Sequence, residues 1–225
     1  QMCIRDSNMA IKDNLFEIEN VLAKYKAKLL PVVKNRKVEE VKEIYAYGYR
    51  EFAENRLDDY YRHVSEIKDA QFHFIAPLQS RKIKEVTSNF KWIHSVSRYK
   101  EIDKIKETFN NNNLFLQINI DNDINKSGIN LDKVYEYFQY LEQYAIPPVG
   151  LMCIPNIESD TKKVFSKMEK INSNLKKDFK DYKGELSMGM SNDYEIALDY
   201  GATIIRIGTK TVSYTHLRAH ETLIY

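Results

Sequence analysis

Cysteine is scarce in this 225-residue chain: Cys3 and Cys153 stand far apart and in no metal-like spacing. A disulfide scaffold is not expected, and a reducing compartment, the cytoplasm, fits better. An excess of one charge sign is also missing. The chain has 34 Lys and Arg against 32 Asp and Glu, a net charge of +2, which leaves no global electrostatic case for nucleic acid. No apolar run approaches the roughly 18 residues that span a bilayer. The start of the chain lacks a basic opening, an apolar stretch and a small-residue cleavage site, so no secretion signal is expected. What is present is 43% hydrophobic residues, enough for one sizeable core in a soluble globular protein.

Both ends read as foreign to that core. Residues 1–8 precede Met9, after which a helical pattern begins at Ile11, Leu15, Ile18, Val21 and Leu22. Its expected place is the bottom or the flank of the fold. Residues 213–225 resemble translated adapter sequence and are set aside as a non-native flank. His216 and His220 within them have a spacing that could ligate metal on a helix, but the artefact reading is preferred and no metal is expected. The remaining domain, residues 9–212, has 204 positions.

Short apolar runs bounded by turn or helix-start residues predict strands at 29–33, 49–53, 71–75, 92–96, 114–120, 149–154, 185–188 and 203–207. Helical patterns lie between them at 38–47, 56–67, 79–88, 99–109, 131–144, 161–178 and 192–200. Strict alternation implies parallel strands, because a parallel neighbour needs a crossover. Eight such strands predict an α/β fold, a single (β/α)8 TIM-type barrel near the lower size limit of roughly 200 residues. A helix after the eighth strand would be expected, where the foreign tail stands instead.

In such barrels chemistry sits at the C-terminal ends of the strands. Lys34 ends strand one, Glu54 and Asn55 end strand two, and His94 lies late in strand four. Ser191 follows strand seven, and Gly208 and Thr209 follow strand eight. The loops after strands seven and eight often build a phosphate site. Gly189 permits close backbone approach, Ser191 is placed to cap the helix at 192–200, and Gly208 and Thr209 add a backbone donor and a hydroxyl. Taken singly these are an ordinary cap and an ordinary turn; on neighbouring strands they favour phosphate. Strand alternation sets Arg206 opposite Ile205 and Ile207, aiming it into the barrel mouth if the isoleucines face the helices. The alternative is a structural ion pair with Glu54. A lysine that is partly desolvated or near other cations becomes a usable amine nucleophile. Closure of the barrel would set Lys34 beside Arg206 and Gly208, an arrangement suited to a phosphorylated aldehyde.

At these residues the chain resembles the pyridoxal phosphate homeostasis protein family (the YggS/PROSC group), related to the N-terminal barrel of alanine racemase. The resemblance runs from about Met9 to Thr211. It is carried by LLPVVK ending at Lys34, FAEN at 52–55, FHFIAPLQSRK at 72–82, WIHSVSR at 92–98, LQINI at 116–120, KSGI at 126–129, GLMCIP at 150–155, SMGMSND at 187–193 and RIGT at 206–209. It implies the fold-type III barrel of pyridoxal 5′-phosphate (PLP) proteins, with Lys34 forming the internal Schiff base. It further implies that Ser191, Gly208 and Thr209 hold the phosphate and that Arg206 meets the pyridine nitrogen. Asn55, His73, Met152 and Met188 would line or support the pocket. The chain departs from the family pattern around the lysine, at Ala53 in place of the usual glycine, and at Ala76–Pro77 in place of Gly-His.

The resemblance implies a role in intracellular PLP (vitamin B6) homeostasis rather than vigorous catalysis. An arginine would donate to the ring nitrogen and leave it unprotonated, weakening the electron sink. Racemisation by two bases needs a second acid/base group, supplied in alanine racemase by a tyrosine of a second domain for which this chain has no room. One of its 16 tyrosines could take that part. The expected partner is PLP, without nucleic acid or membrane, in a monomer. Transfer to PLP-dependent apoenzymes stays open. Two alternatives stand beside this reading: a PLP-dependent amino-acid racemase, and a barrel that binds a phosphate ligand without a Schiff base.

Overall fold

The computed structural model describes residues 2–208. Thr209 and the segment 213–225 lie outside the described residues. The chain runs α1 (Met2–Leu22), β1 (Lys28–Pro31), α2 (Val38–Tyr47), β2 (Glu51–Glu54), α3 (Leu57–Val64), β3 (Gln71–Phe74), α4 (Ile83–Asn89), β4 (Trp92–Val96), α5 (Tyr99–Thr108), β5 (Asn113–Asn119), β6 (Ile129–Asn130), α6 (Val134–Glu142), β7 (Gly150–Cys153), α7 (Thr161–Asp178), β8 (Glu185–Ser187), α8 (Tyr194–Asp199) and β9 (Ile204–Ile207).

The strands are parallel in the order β1-β9-β8-β7-β5-β4-β3-β2, with two-residue β6 pairing beside β5. The ends of this path meet: Val32 bridges Ala53 in parallel, and the Val33 N–H donates to the Ala53 carbonyl at 3.0 Å. A nearly closed eight-stranded barrel results, with helices outside. All eight expected strands form, and β6 is the addition. It is too short for a periodic pattern to register.

Alternation of side chains along each strand separates two cores. Leu29, Phe52, Phe72, Phe74, Ile93, Leu151, Leu186, Met188, Ile205 and Ile207 join the layer between strands and helices. Leu30, Val32, Ala53, Phe115, Met152 and Ile204 fill the barrel itself, with Ile75 and Trp92 packed against them. Arg206, between Ile205 and Ile207, therefore points inward, as do His73 and Ser187 by the same alternation.

α1 lies on the barrel flank over β1. Leu15, Ile18 and Leu22 are buried in the outer layer, Glu19 accepts from the Tyr47 and Tyr49 hydroxyls beside α2, and Tyr25 donates to Asp199 of α8 at 2.6 Å. α1 starts earlier than its pattern predicts. α2 and α7 match their predicted bounds. α4 and α6 each follow a short 3₁₀ turn, Ser80–Lys82 and Leu131–Lys133. α8 is shorter than predicted at both ends, Tyr194–Asp199 against 192–200. The Asp193 carboxylate turns back to accept from the Met190 N–H at 2.6 Å, which holds residues 190–193 as a turn.

Candidate functional site at the C-terminal mouth of the barrel

A cavity of about 500 Å³ opens where the strands end, within the range of roughly 300–1,000 Å³ common for small-molecule sites. Val32 and Lys34 lie just beyond β1, and Asn55 and Ile75 follow β2 and β3. The loop after β7 supplies Ile154 to Ile157, α7 its first residue Thr161, the turn after β8 Met190 to Asp193, and β9 Arg206, with Gly208 just past its end. Five of the predicted residues thus meet in one cavity: Lys34, Asn55, Ser191, Arg206 and Gly208. Thr209 lies outside the described residues.

The other three stand elsewhere. Met188 is one residue past inward-facing Ser187, so alternation turns it into the outer core, away from the cavity. Met152 is sealed inside the barrel, and His73 is fully buried lower in it, stacked on Trp92 at 5.1 Å between ring centroids. Neither lines the cavity.

Lys34 is exposed at the rim, and the turn behind it is tied down. Asn35 adopts φ 57°, a left-handed conformation that asparagine tolerates. Its N–H donates to buried Asp59 of α3 at 3.2 Å, and Arg36 donates to the Gly208 carbonyl at 3.4 Å. The Arg36 carbonyl accepts from His63 Nε2 at 3.1 Å, while His63 Nδ1 meets Glu54 Oε1 at 2.7 Å. That places Glu54 on the outer face of β2, against α3. The ion pair considered for Arg206 and Glu54 therefore does not form. Burial pushes the His63 pKa down, but the Glu54 hydrogen bond, the Arg36 carbonyl and the Glu54 and Asp59 charges outweigh it, and the net shift is upward. The Glu54 pKa is raised as well, with burial outweighing the His63 hydrogen bond.

Arg206 is 3% exposed. Its Nη1 donates to Ser187 Oγ at 2.7 Å and its Nη2 to the Cys153 carbonyl at 2.9 Å. None of the described carboxylates lies within ion-pair distance of it. Burial lowers its pKa, against the neighbouring Cys153 and Asp193, yet an arginine this basic stays protonated. The Asp193 carboxyl, also at the cavity, is pushed up by burial.

Ser191 does not cap a helix: α8 begins at Tyr194, with Asp193 in the cap position. Ser191 and Asn192 instead form a turn that lines the cavity, as Gly208 does. Two glycines shape this wall. Gly189 has φ 93°, and a Cβ there would come within 2.7 Å of Ala197 Cβ; Gly208 passes so close to β1 that a Cβ would meet Val32 at 3.3 Å. The Asn55 Oδ1 atom is buried at the cavity without a hydrogen-bond partner, an arrangement that calls for a donor.

The family described as alanine racemase, N-terminal domain, matches residues 7–215. The chain is 34% identical over 193 residues to the pyridoxal phosphate homeostasis protein of Aquifex aeolicus, covering 81% of this chain and 85% of that one. It is 33% identical over 196 residues to the protein of the same name in Escherichia coli, covering 80% and 82%. The chain belongs to the pyridoxal phosphate homeostasis protein family. Among solved structures, the chain is similar to PipY of Synechococcus elongatus PCC7942, determined without PLP (28% identity, TM-score 0.84) and with PLP bound (27%, TM-score 0.82), each covering 90% of this chain and 100% of that one. Alanine racemase from Oenococcus oeni shares the fold, with TM-score 0.69 at 15% identity over 91% of this chain and 62% of its own.

Within this family member, the groups missed from the sequence are those that hold the named ones. Asp59 and His63 of α3 fasten the Lys34 turn, and Ser187 holds Arg206. Position 187 could have been found: two residues before Gly189 and adjacent to outward Leu186, it had to face the barrel interior. The contacts of Asp59 and His63 cross from one element to another and leave no periodic trace.

Proposed function

We propose that this protein binds pyridoxal 5′-phosphate at the C-terminal mouth of the barrel and serves intracellular PLP homeostasis as a carrier, with little turnover. The observation that carries this reading is the meeting of an exposed amine, a buried guanidinium and the Ser191–Gly208 wall in one cavity. The residues present fit the cofactor. Lys34 offers the amine for its aldehyde, and Arg206 offers donors to the ring nitrogen. Ser191 and Gly208, joined by Thr209 in the sequence, would hold the phosphate. The orphaned Asn55 oxygen is suited to a hydroxyl donor. When bound, PLP supplies an electrophilic carbon and an electron-withdrawing ring.

Little turnover follows from the chain's own groups. Arg206 is donor-only, and its protein partners are a hydroxyl and a carbonyl, so no carboxylate stands ready to protonate the ring. No tyrosine is among the described residues that line the cavity, although catalysis on both faces of a substrate would need an acid/base group opposite Lys34. In this reading the protein works as a cytoplasmic monomer and its cofactor passes to PLP-dependent apoenzymes. Among the described residues no helix is long and apolar enough to cross a membrane, and Cys153 is a buried free thiol.

Titration of the purified protein with PLP tests the site. A near-visible absorption change of one cofactor per chain is expected, and borohydride should fix one cofactor mass on the peptide containing Lys34. A Lys34→Ala variant with the same spectrum would overturn the assignment. Chiral analysis of single-enantiomer amino acids tests turnover, and rapid multiple-turnover inversion would replace the carrier reading with a racemase.

A further inference from the structure

The inside of a barrel of this kind is usually filled by branched aliphatic side chains. Here a line of polar groups descends from the cavity through the interior instead. Arg206 of β9 donates to Ser187 of β8 at 2.7 Å; Ser187 Oγ lies 2.8 Å from His94 Nδ1 on β4; His94 Nε2 lies 3.0 Å from His73 Nδ1 on β3. His73 Nε2 then faces Glu51 at 3.9 Å, near the opposite mouth, where Glu51 pairs with Lys28. All four members are nearly or fully buried.

The chemistry of the donors gives this line a direction. Arginine only donates, so Ser187 Oγ accepts from it; the other partner of this hydroxyl among the described residues is His94 Nδ1, which takes its single proton. His94 must then carry its proton on Nε2 and donate to His73 Nδ1, and His73 in turn carries its proton on Nε2. Aromatic packing holds both imidazoles in place: His94 stacks on Phe115 at 4.2 Å and His73 on Trp92 at 5.1 Å. Both rings stay neutral. Burial is the main cause, followed for His94 by the charges of His73, Arg206 and Lys28, and for His73 by Lys28. The last donor, His73 Nε2–H, has no hydrogen-bond partner among the described residues. Stability alone gives no reason to bury that cost when an apolar side chain would fill the space.

We propose that Ser187, His94 and His73 are positioning residues: a one-directional chain of neutral acceptors that aims the Arg206 guanidinium into the cavity without neutralising it. This inference rests on the reading above, in which Arg206 addresses the ring of bound PLP. A carboxylate in the place of Ser187 would hold the arginine equally well but would cancel its charge. A hydroxyl backed by two imidazoles holds it and leaves the charge facing the cavity.

The test uses the full chain in two arms. In the first, nitrogen NMR of histidine-labelled protein without cofactor reads the tautomers. His94 and His73 are expected neutral with the proton on Nε2, and a proton on Nδ1 of His94 would overturn the proposal. In the second, PLP is added to Ser187→Ala, His94→Leu and His94→Gln. Ser187→Ala and His94→Leu should hold PLP roughly ten- to a hundredfold more weakly, the loss expected of one hydrogen bond to a charged group, and should shift its absorption maximum. His94→Gln, which can accept from Ser187 and still donate to His73, should restore the maximum. Ser187→Ala and His94→Leu proteins that fold, and match the parent in affinity and absorption maximum, would overturn the proposal. Should a variant fail to fold, the tautomers in the unaltered protein decide. Should PLP leave even the parent spectrum unchanged, the cofactor reading fails, while the tautomers still settle the direction of the chain.

Discussion

His63 and His94 are both 0% exposed, on opposite sides of one barrel wall, and their surroundings drive them in opposite directions. Outside the wall, His63 sits between a carboxylate and a carbonyl, both acceptors, and is raised toward its charged form. Inside, His94 sits between a hydroxyl and another imidazole with cations beyond, and is held neutral. Burial alone would lower both. The partner set decides the sign, and the sign suits what each histidine holds. His63 is a hydrogen-bonded clamp for the backbone turn behind Lys34, and His94 belongs to a neutral acceptor line beneath Arg206.

Removing one partner of the outer pair should have the largest effect. His63→Ala leaves Glu54 buried alone and is expected to cost about 3–5 kcal/mol, the usual penalty for breaking a buried ion pair from one side, measured by urea denaturation. Glu54→Gln with His63 intact should recover much less than Glu54→Gln combined with His63→Leu. The inner line should be more forgiving, since its members are neutral. His94→Leu is expected to cost about 1–3 kcal/mol through the unpaired Ser187 and His73 groups. A larger loss there than for His63→Ala would erase the contrast.

The pH dependence sharpens the same contrast, at no more than about 1.4 kcal/mol per pH unit for each histidine. For His63, the folded pKa lies above the ordinary 6.5, so its contribution is full below that value and is lost as pH rises through the folded pKa. For His73 and His94 the folded pKa lies well below 6.5. The unfolded chain then binds more protons under that pH, and stability falls as the solution is acidified. His63→Gln should flatten the alkaline side of the stability profile, and His94→Leu should flatten part of the acid side; the reverse assignment would refute both. Lys34→Ala should show the smallest change, within about 0.5 kcal/mol in stability for an exposed side chain. Its thermal denaturation should match the parent even though PLP retention is lost.

Much of the fold and of the site is legible in the amino-acid order. The eight strands follow from apolar runs and their spacing, and period-two alternation turns Arg206 inward because Ile205 and Ile207 need the apolar layer. The same rule places Met188 outward, where family resemblance suggests a pocket role; alternation is the better guide. The shortening of α8 is not legible, because Asp193 satisfies the Met190 N–H through a local side-chain bond that competes with the helix. Ser191 accordingly serves a turn rather than a cap.

For Lys34, Ser191, Arg206 and Gly208, the sequence by itself determined that they would gather at one end of a barrel, since strand order and alternation are properties of the chain's own periodicity. Only the tertiary structure decided how Lys34 and Arg206 are held there. The Glu54–His63 clamp and the Arg206–Ser187–His94–His73 line join residues from separate elements. Their charge states depend on which neighbours meet them in the buried interior, where water no longer evens out the difference.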